Sequence, residues 1–207
     1  MVSQQLRAWD VLDGRVLGVM ASLPRERFVP PDWRELAYAD TEIPLAHGKQ
    51  LAPPKIQGRA LQALLPQPDE HALEIGSGTG YLTACLGRLT ASVTGVELHG
   101  ELAAAARRNL AALGIDNATV LEGDGLSMEF PRRFDVICVN GSLPGPTDSL
   151  ERLLAVGGRL FVVAGQPPIM QARRITRVDE SGWRTENVFE TCLPMLENAR
   201  PPMEFVF

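Results

Sequence analysis

Along the chain, apolar positions alternate between two rhythms, a spacing of three to four residues and short unbroken runs. Leu6, Leu12, Val16, Val19 and Met20 recur at near-helical intervals within residues 5–21, which predicts one or two amphipathic helices. The next stretch, Leu23 to Pro31, contains three prolines. Their fixed backbone interrupts regular elements and predicts an extended, ordered segment. From there to Pro54 the chain reads as irregular, with Pro44 and Gly48 inside it; irregular stretches of that size are more often functional than idle. Pro53-Pro54 then opens a helix whose apolar face is Ile56, Ala60, Leu61, Leu64 and Leu65, and Pro66 ends it.

Beyond Pro66 the two rhythms alternate regularly. Ala72 to Ile75 reads as strand, Tyr81 to Leu89 as helix, Ser92 to Val96 as strand, Glu101 to Leu113 as helix and Ala118 to Leu121 as strand. A strand at Phe134 to Val139, a helix near Ser149 to Leu154 and a strand at Arg159 to Val163 continue the series. The strands are short apolar runs, as expected when helices cover both faces of a parallel sheet. Ile175 to Val178 and Thr185 to Phe189 flank Asp179-Glu180-Ser181-Gly182, a hairpin connection. The expected fold class is therefore α/β: a Rossmann-like, doubly wound, mostly parallel sheet with an antiparallel C-terminal hairpin and an N-terminal helical extension. One domain over residues 1–207 is expected, made of an N-terminal segment 1–54, a core 55–165 and C-terminal strands 166–207.

Composition narrows the function classes. The 207 residues include 20 Lys and Arg against 25 Asp and Glu, a net charge of −5. That balance opposes nonspecific binding to nucleic acid or to an anionic membrane. The most apolar stretch, Leu153 to Gly165, contains Arg159 and glycines and falls short of the roughly 20 residues a membrane span needs. Asp10 and Asp13 stand where a secretory signal would place positive charge. Neither nucleic-acid nor membrane partners are expected, and the expected location is cytoplasmic. Cys85, Cys138 and Cys192 are odd in number and far apart, which implies no disulfide framework; each has apolar sequence neighbours and is expected to be an inert core thiol. His47, His71 and His99 match no metal spacing, so no metal is expected.

The most informative segment is Leu73-Glu74-Ile75-Gly76-Ser77-Gly78-Thr79-Gly80-Tyr81-Leu82-Thr83, a strand that runs into three alternating glycines and then a helix. Glycines there admit a ligand close to the backbone, and the helix N-terminus offers free N–H groups. A nicotinamide fingerprint would need glycine where Tyr81 stands. Glu97, in Val96-Glu97-Leu98 at the end of the second strand, is placed to accept hydrogen bonds from both ribose hydroxyls of an adenosine cofactor.

Acidic Glu74 before the loop, the G-x-G-x-G run and an acidic second-strand end together resemble class I S-adenosylmethionine-dependent methyltransferases. The resemblance implies a cofactor site of Glu74, Gly76, Ser77, Gly78, Gly80, Tyr81, Glu97 and Leu98. It adds Asp124 and Gly125, from Glu122-Gly123-Asp124-Gly125, with Asp124 beside the adenine amino group. The cofactor implied is S-adenosyl-L-methionine, leaving S-adenosyl-L-homocysteine. Further N-terminal stretches, Pro24-Arg25-Glu26-Arg27-Phe28-Val29-Pro30, Leu36-Ala37-Tyr38-Ala39-Asp40 and Ile43-Pro44-Leu45-Ala46-His47-Gly48, closely resemble protein-L-isoaspartate O-methyltransferases.

That family methylates the free carboxylate of an isoaspartyl residue in damaged proteins, a repair activity. The implied partner is a peptide or protein with an exposed isoaspartyl carboxylate, or another small acceptor, and a monomer is expected. The implied acceptor-side residues are His47, Gly48, Leu51 and Asn140. The family's hydroxyl donors come from a segment written G-x-T-I-S-x-P, and here that segment is Gly48-Lys49-Gln50-Leu51-Ala52-Pro53-Pro54. Gln50 stands at the threonine position and Ala52 at the serine position, so the two catalytic positions are occupied by substitutes, and a methyl group donates no hydrogen bond. The loop Val139-Asn140-Gly141-Ser142-Leu143-Pro144 likewise departs from the family's T-A-A-x-P. The alternatives are a methyltransferase for a different acceptor or a cofactor-binding module with weakened transfer.

Overall fold

The computed structural model describes residues 1–145 and 147–199. The last eight residues of the 166–207 segment lie outside the described residues. The chain starts with a turn of π-helix, Val2–Leu6, and a 3-10 turn, Arg7–Trp9, followed by helix α1, Gly14–Ser22. Asp13 caps α1 by accepting from the backbone N–H groups of Arg15 and Val16 at 2.9 and 3.1 Å. Leu6, Val16 and Met20 are buried, whereas Leu12 is 64% exposed. Leu12 falls in the break before α1, where helical spacing does not hold, and Val11 takes the buried position.

The proline-rich segment is not extended throughout. It folds into 3-10 turns at Arg25–Phe28 and Pro31–Leu36, with Pro30 and Pro31 opening the second. Two short strands follow, β1 (Ile43–Pro44) and β2 (Gln50–Leu51), paired antiparallel around the 46–48 turn. Helix α2, Pro54–Leu64, starts on its proline as expected and buries Ile56, Ala60, Leu61 and Leu64; Leu65, in left-handed backbone, ends it and is only half-buried.

The core then runs β3 (His71–Ile75), α3 (Tyr81–Leu89), β4 (Ser92–Glu97), α4 (Gly100–Ala112), β5 (Ala118–Glu122), β6 (Phe134–Leu143), α5 (Asp148–Glu151), β7 (Leu154–Gln166), β8 (Ile169–Arg177) and β9 (Trp183–Glu190). These strands form one seven-stranded sheet in the order β5-β4-β3-β6-β7-β8-β9. The first five run parallel and the last two are antiparallel. Helix α5 is shorter than expected because Leu154 already belongs to β7, and β8 begins six residues before Ile175.

Strand alternation splits the core into two layers. Ala72, Val136, Cys138 and Phe161 face one side; Leu73, Ile75, Ile137, Val139 and Leu160 face the other. Cys85 and Cys138 are buried as expected, whereas Cys192 is exposed beyond the last strand. Among the described residues, no helix is long and apolar enough to cross a membrane.

Arg25 locks the N-terminal segment onto this core. It is fully buried, donates to the carbonyls of Ala37 at 2.7 Å and Ala52 at 2.6 Å, pairs with the Gln57 side chain and lies 4.5 Å from the Tyr81 ring centroid. Because each acceptor is buried with it, Arg25→Met leaves several unsatisfied groups, which predicts a loss of about 3 kcal/mol in unfolding free energy. Urea titration measures it, and a loss below about 1 kcal/mol contradicts the assignment.

Candidate functional site

The sheet order reverses at β3, whose neighbours are β4 and β6, and open α/β sheets bind ligands at such switch points. A crevice opens there. Its floor is Gly76, Ser77 and Gly78 after β3, and Glu97 at the end of β4 with Leu98 beyond it forms one wall. Asp124 and Gly125 after β5, together with Asn140 and Gly141 in β6, extend it. Gly48, Gln50, Leu51 and Ala52 bring in the small β1–β2 hairpin.

The glycine loop is held from below rather than left free. Gly76 and Ser77 donate to the Val96 carbonyl at 2.8 and 3.1 Å, and Gly80 donates to Ser77 at 2.9 Å. Gly78 donates to the Glu97 carboxylate at 2.7 Å. The N–H groups of Gly76, Ser77, Gly78 and Gly80 are thus engaged within the protein, and this part of the loop offers a ligand its shape. Gly76, Gly78 and Gly80 all have positive φ, +85°, +55° and +92°, and a side chain on Gly76 would stand 3.2 Å from the Asn140 carbonyl. The Asn140 side chain in turn donates to the Gly76 carbonyl at 3.0 Å, tying β6 to the loop.

Glu97 is the organising acid. It is 5% exposed; one carboxylate oxygen accepts from Gly78 and the other from the His99 N–H at 3.0 Å. Each oxygen keeps a further lone pair, so a vicinal diol can dock on an acid already fixed in orientation. Asp124 is similarly arranged: one oxygen accepts from the Leu126 N–H at 2.9 Å, making a turn, and the other from the Asn198 side chain at 3.1 Å.

Four expected site residues do not line the crevice. Glu74 and Tyr81 are fully buried in the core, Gly80 packs against Ala106, and His47 stands outside the wall. The Tyr81 ring meets Phe28 edge-on, with centroids 5.4 Å apart. His47 stacks on His99 at 4.4 Å, and its Nε2 lies 3.2 Å from Glu101. Glu74 accepts from the Thr83 hydroxyl, and burial pushes its carboxyl up to about 8.

The sequence reading missed the segment Leu193 to Glu197, which forms the remaining wall. It lies beyond the last strand and carries no periodicity or motif. Glu197 meets Lys49 at 2.8 Å and His99 at 2.7 Å. Donation from Lys49 and then His99 holds its carboxyl below the ordinary range.

The residues present suit an adenosine-containing ligand with a linear polar tail: a side-chain-free cradle, a pre-oriented acid at the second strand and another acid at the third. The apolar Leu98 and Leu126 line the same stretch.

The chain is similar to known proteins in sequence and in fold. A family model described as protein-L-isoaspartate(D-aspartate) O-methyltransferase matches residues 1–193. The protein-L-isoaspartate O-methyltransferase of Koribacter versatilis is 39% identical over 96% of this chain and 90% of its own. That of Methanoregula boonei is 39% identical over 91% and 87%. A Plasmodium falciparum crystal structure described as a protein-L-isoaspartate O-methyltransferase in complex with S-adenosyl-L-homocysteine superposes with a TM-score of 0.82 at 23% identity, over 93% of this chain and 94% of that one.

Two outcomes follow from the site. Glu97→Ala removes the acid that holds Gly78 and is placed to accept from a ribose diol; calorimetry should show S-adenosyl-L-homocysteine binding weakened by about 30-fold or more, and unchanged affinity would contradict the expected orientation. Glu74 keeps its proton in the fold to a higher pH than in the unfolded chain, whose carboxyl ionises near 4.5. The fold consequently loses stability as pH rises from about 4.5 towards 8. Glu74→Gln, which cannot ionise, should gain on the natural sequence in Tm by a few degrees across that window; a difference independent of pH would show that Glu74 is ionised in the fold.

Proposed function

Since the chain belongs to the protein-L-isoaspartate(D-aspartate) O-methyltransferase family, we propose that it transfers a methyl group from S-adenosyl-L-methionine to the free carboxylate of isoaspartyl residues in damaged proteins. The observation that carries this reading is the shared crevice: the cofactor cradle of Gly76, Gly78 and Glu97 opens onto Gly48 to Ala52 of the hairpin. When bound, the cofactor supplies an electrophilic methyl group.

The chain's own residues have a limited task. A carboxylate is ionised at neutral pH, so its attack needs no general base. What must be supplied is alignment of the attacking oxygen with the methyl carbon and exclusion of water. The hairpin does the first, and its position at Ala52 is set by Arg25 from inside the core. Gln50, half-buried in the crevice wall, brings a side-chain amide that donates where the family pattern has a hydroxyl. Gly76, Ser77, Gly78, Glu97, Leu98, Asp124 and Gly125 hold the cofactor, while Gly48, Leu51 and Asn140 face the acceptor. Glu74, Gly80 and Tyr81 support the loop from within the core, and His47 borders the acceptor side. The protein works as a monomer in the cytoplasm, a reducing compartment suited to its free thiols.

One observation favours a second reading, transfer to another acceptor: Gln50 and Ala52 both lack the family's hydroxyl groups. Incubation with an isoaspartyl peptide, its normal aspartyl counterpart and labelled methyl donor separates the two. Base-labile label on the isoaspartyl peptide alone is expected, and label on neither peptide would sink the proposal. Ala52→Ser should raise isoaspartyl turnover by about tenfold through the added donor; equal cofactor affinity with no gain would show that Ala52 does not limit the rate.

A further inference from the structure

The wall of the crevice formed by Leu193 to Asn198 lies mostly beyond the residues that the family pattern matches, which end at 193. It is fastened to β6 at one residue. Ser142 donates its N–H to the Pro194 carbonyl at 2.9 Å and its hydroxyl to the Leu193 carbonyl at 2.8 Å, and it accepts from the Leu196 N–H at 3.0 Å. The approach is close enough to constrain the sequence beneath it. A Cβ on Gly141 would stand 2.7 Å from the Leu196 side chain and 3.3 Å from the Pro194 carbonyl.

From that anchor the segment crosses the whole crevice. Leu196 stands over the glycine loop, where a Cβ on Gly76 would lie 3.5 Å from it. Asn198, in left-handed backbone at φ +65°, reaches Asp124 at the far end. Between the two, Glu197 of the segment meets both Lys49 of the acceptor hairpin and His99 of the β4–α4 turn, two elements that already touch where His47 stacks on His99. The His99 N–H already holds Glu97. One carboxylate thus fastens the segment both to the hairpin that faces the acceptor and to the turn that positions the ribose acid.

We propose that residues 194–198 form a strap that closes the cofactor crevice, and that Glu197 is the positioning residue that latches it to Lys49 and His99 and so sets how fast cofactor and product exchange. Glu197 touches no reacting atom; it acts through the strap. Asp124 keeps a lone pair on each oxygen with Asn198 in place, so the strap covers a bound adenosine instead of competing for its acid.

This inference rests on the cofactor reading of the crevice, and one set of measurements separates the two. Affinity of S-adenosyl-L-homocysteine by calorimetry and its release rate by stopped-flow displacement are compared for the natural sequence, E197A, K49E, G141A and the charge-reversed double variant K49E/E197K. Half-exposed pairs of this kind have modest strength, so E197A and K49E should each release the product about three- to tenfold faster. The double variant, which restores the pair with position 49 but not the contact with His99, should release more slowly than either single variant while staying faster than the natural sequence. G141A, which pushes Leu196 outward without touching a charge, should accelerate release in the same direction. Thermal melting should be nearly unchanged for E197A, since its side chain is half in solvent. Failure of the natural sequence to bind overturns the cofactor reading itself. Normal binding with release rates in E197A and G141A within twofold of natural, or a double variant no slower than either single one, overturns the strap alone.

Discussion

The hydrogen bond from Gly78 to Glu97, 2.7 Å long, is the contact on which the site depends. It joins the loop after β3 to the end of its neighbour β4, beside the point where the sheet order reverses between β3 and β6. Without it the glycine loop would keep its two bonds to the Val96 carbonyl but lose the restraint on its outer half. Nor would the acid be turned towards the crevice. A buried carboxylate is costly unless donors surround it, and here two backbone N–H groups meet that cost before any ligand arrives. The site is therefore organised in advance, which lowers the ordering penalty of binding.

The two ends of the crevice are built differently. At the cofactor end the essential features belong to the backbone: positive φ at the glycines, strand ends in register, a strand-to-helix turn fixed from below. Such features tolerate change poorly: an added Cβ meets the main chain of Asn140 at Gly76 and of Ala106 at Gly80, and at Gly78 the positive φ alone disfavours a side chain. At the acceptor end the features are side chains on a two-strand hairpin, anchored chiefly through Arg25 and the carbonyl of Ala52. A hairpin held by its backbone can exchange Gln50 or Ala52 without disturbing the sheet, so chemistry at this end is free to vary while the cofactor end stays constant.

How much was legible in the sequence follows the same division. Helix α3 was readable to the residue, Tyr81–Leu89, because glycines mark its start and apolar spacing its body. Strands β3 and β4 were readable within a residue or two for the same reason. Leu12 misled because a helical spacing was extended through a break that polar Asp10 and Asp13 create. The first half of β8 was hidden: Ile169 to Arg174 mixes polar and apolar residues, and the tight Pro167-Pro168 connection that pairs it with β7 carries no glycine or asparagine turn signal. Among candidate site residues, Glu97, Gly76 and Gly78 were legible because their spacing is set by one βαβ unit, whereas Gly80 packs against Ala106. Tyr81 and Glu74 sit in the same motif but point into the core, and motif membership alone carries no direction. The wall at Leu193 to Glu197 left no mark at all, since tertiary pairing with Ser142 places it.

A crystal structure of the protein with S-adenosyl-L-homocysteine bound tests the central claim most directly. The account requires both ribose hydroxyls within hydrogen-bond distance of the Glu97 carboxylate, with the Gly78 bond to that same carboxylate still in place. A ligand seated elsewhere, or a ribose turned away from Glu97 with the glycine loop rearranged, would contradict it.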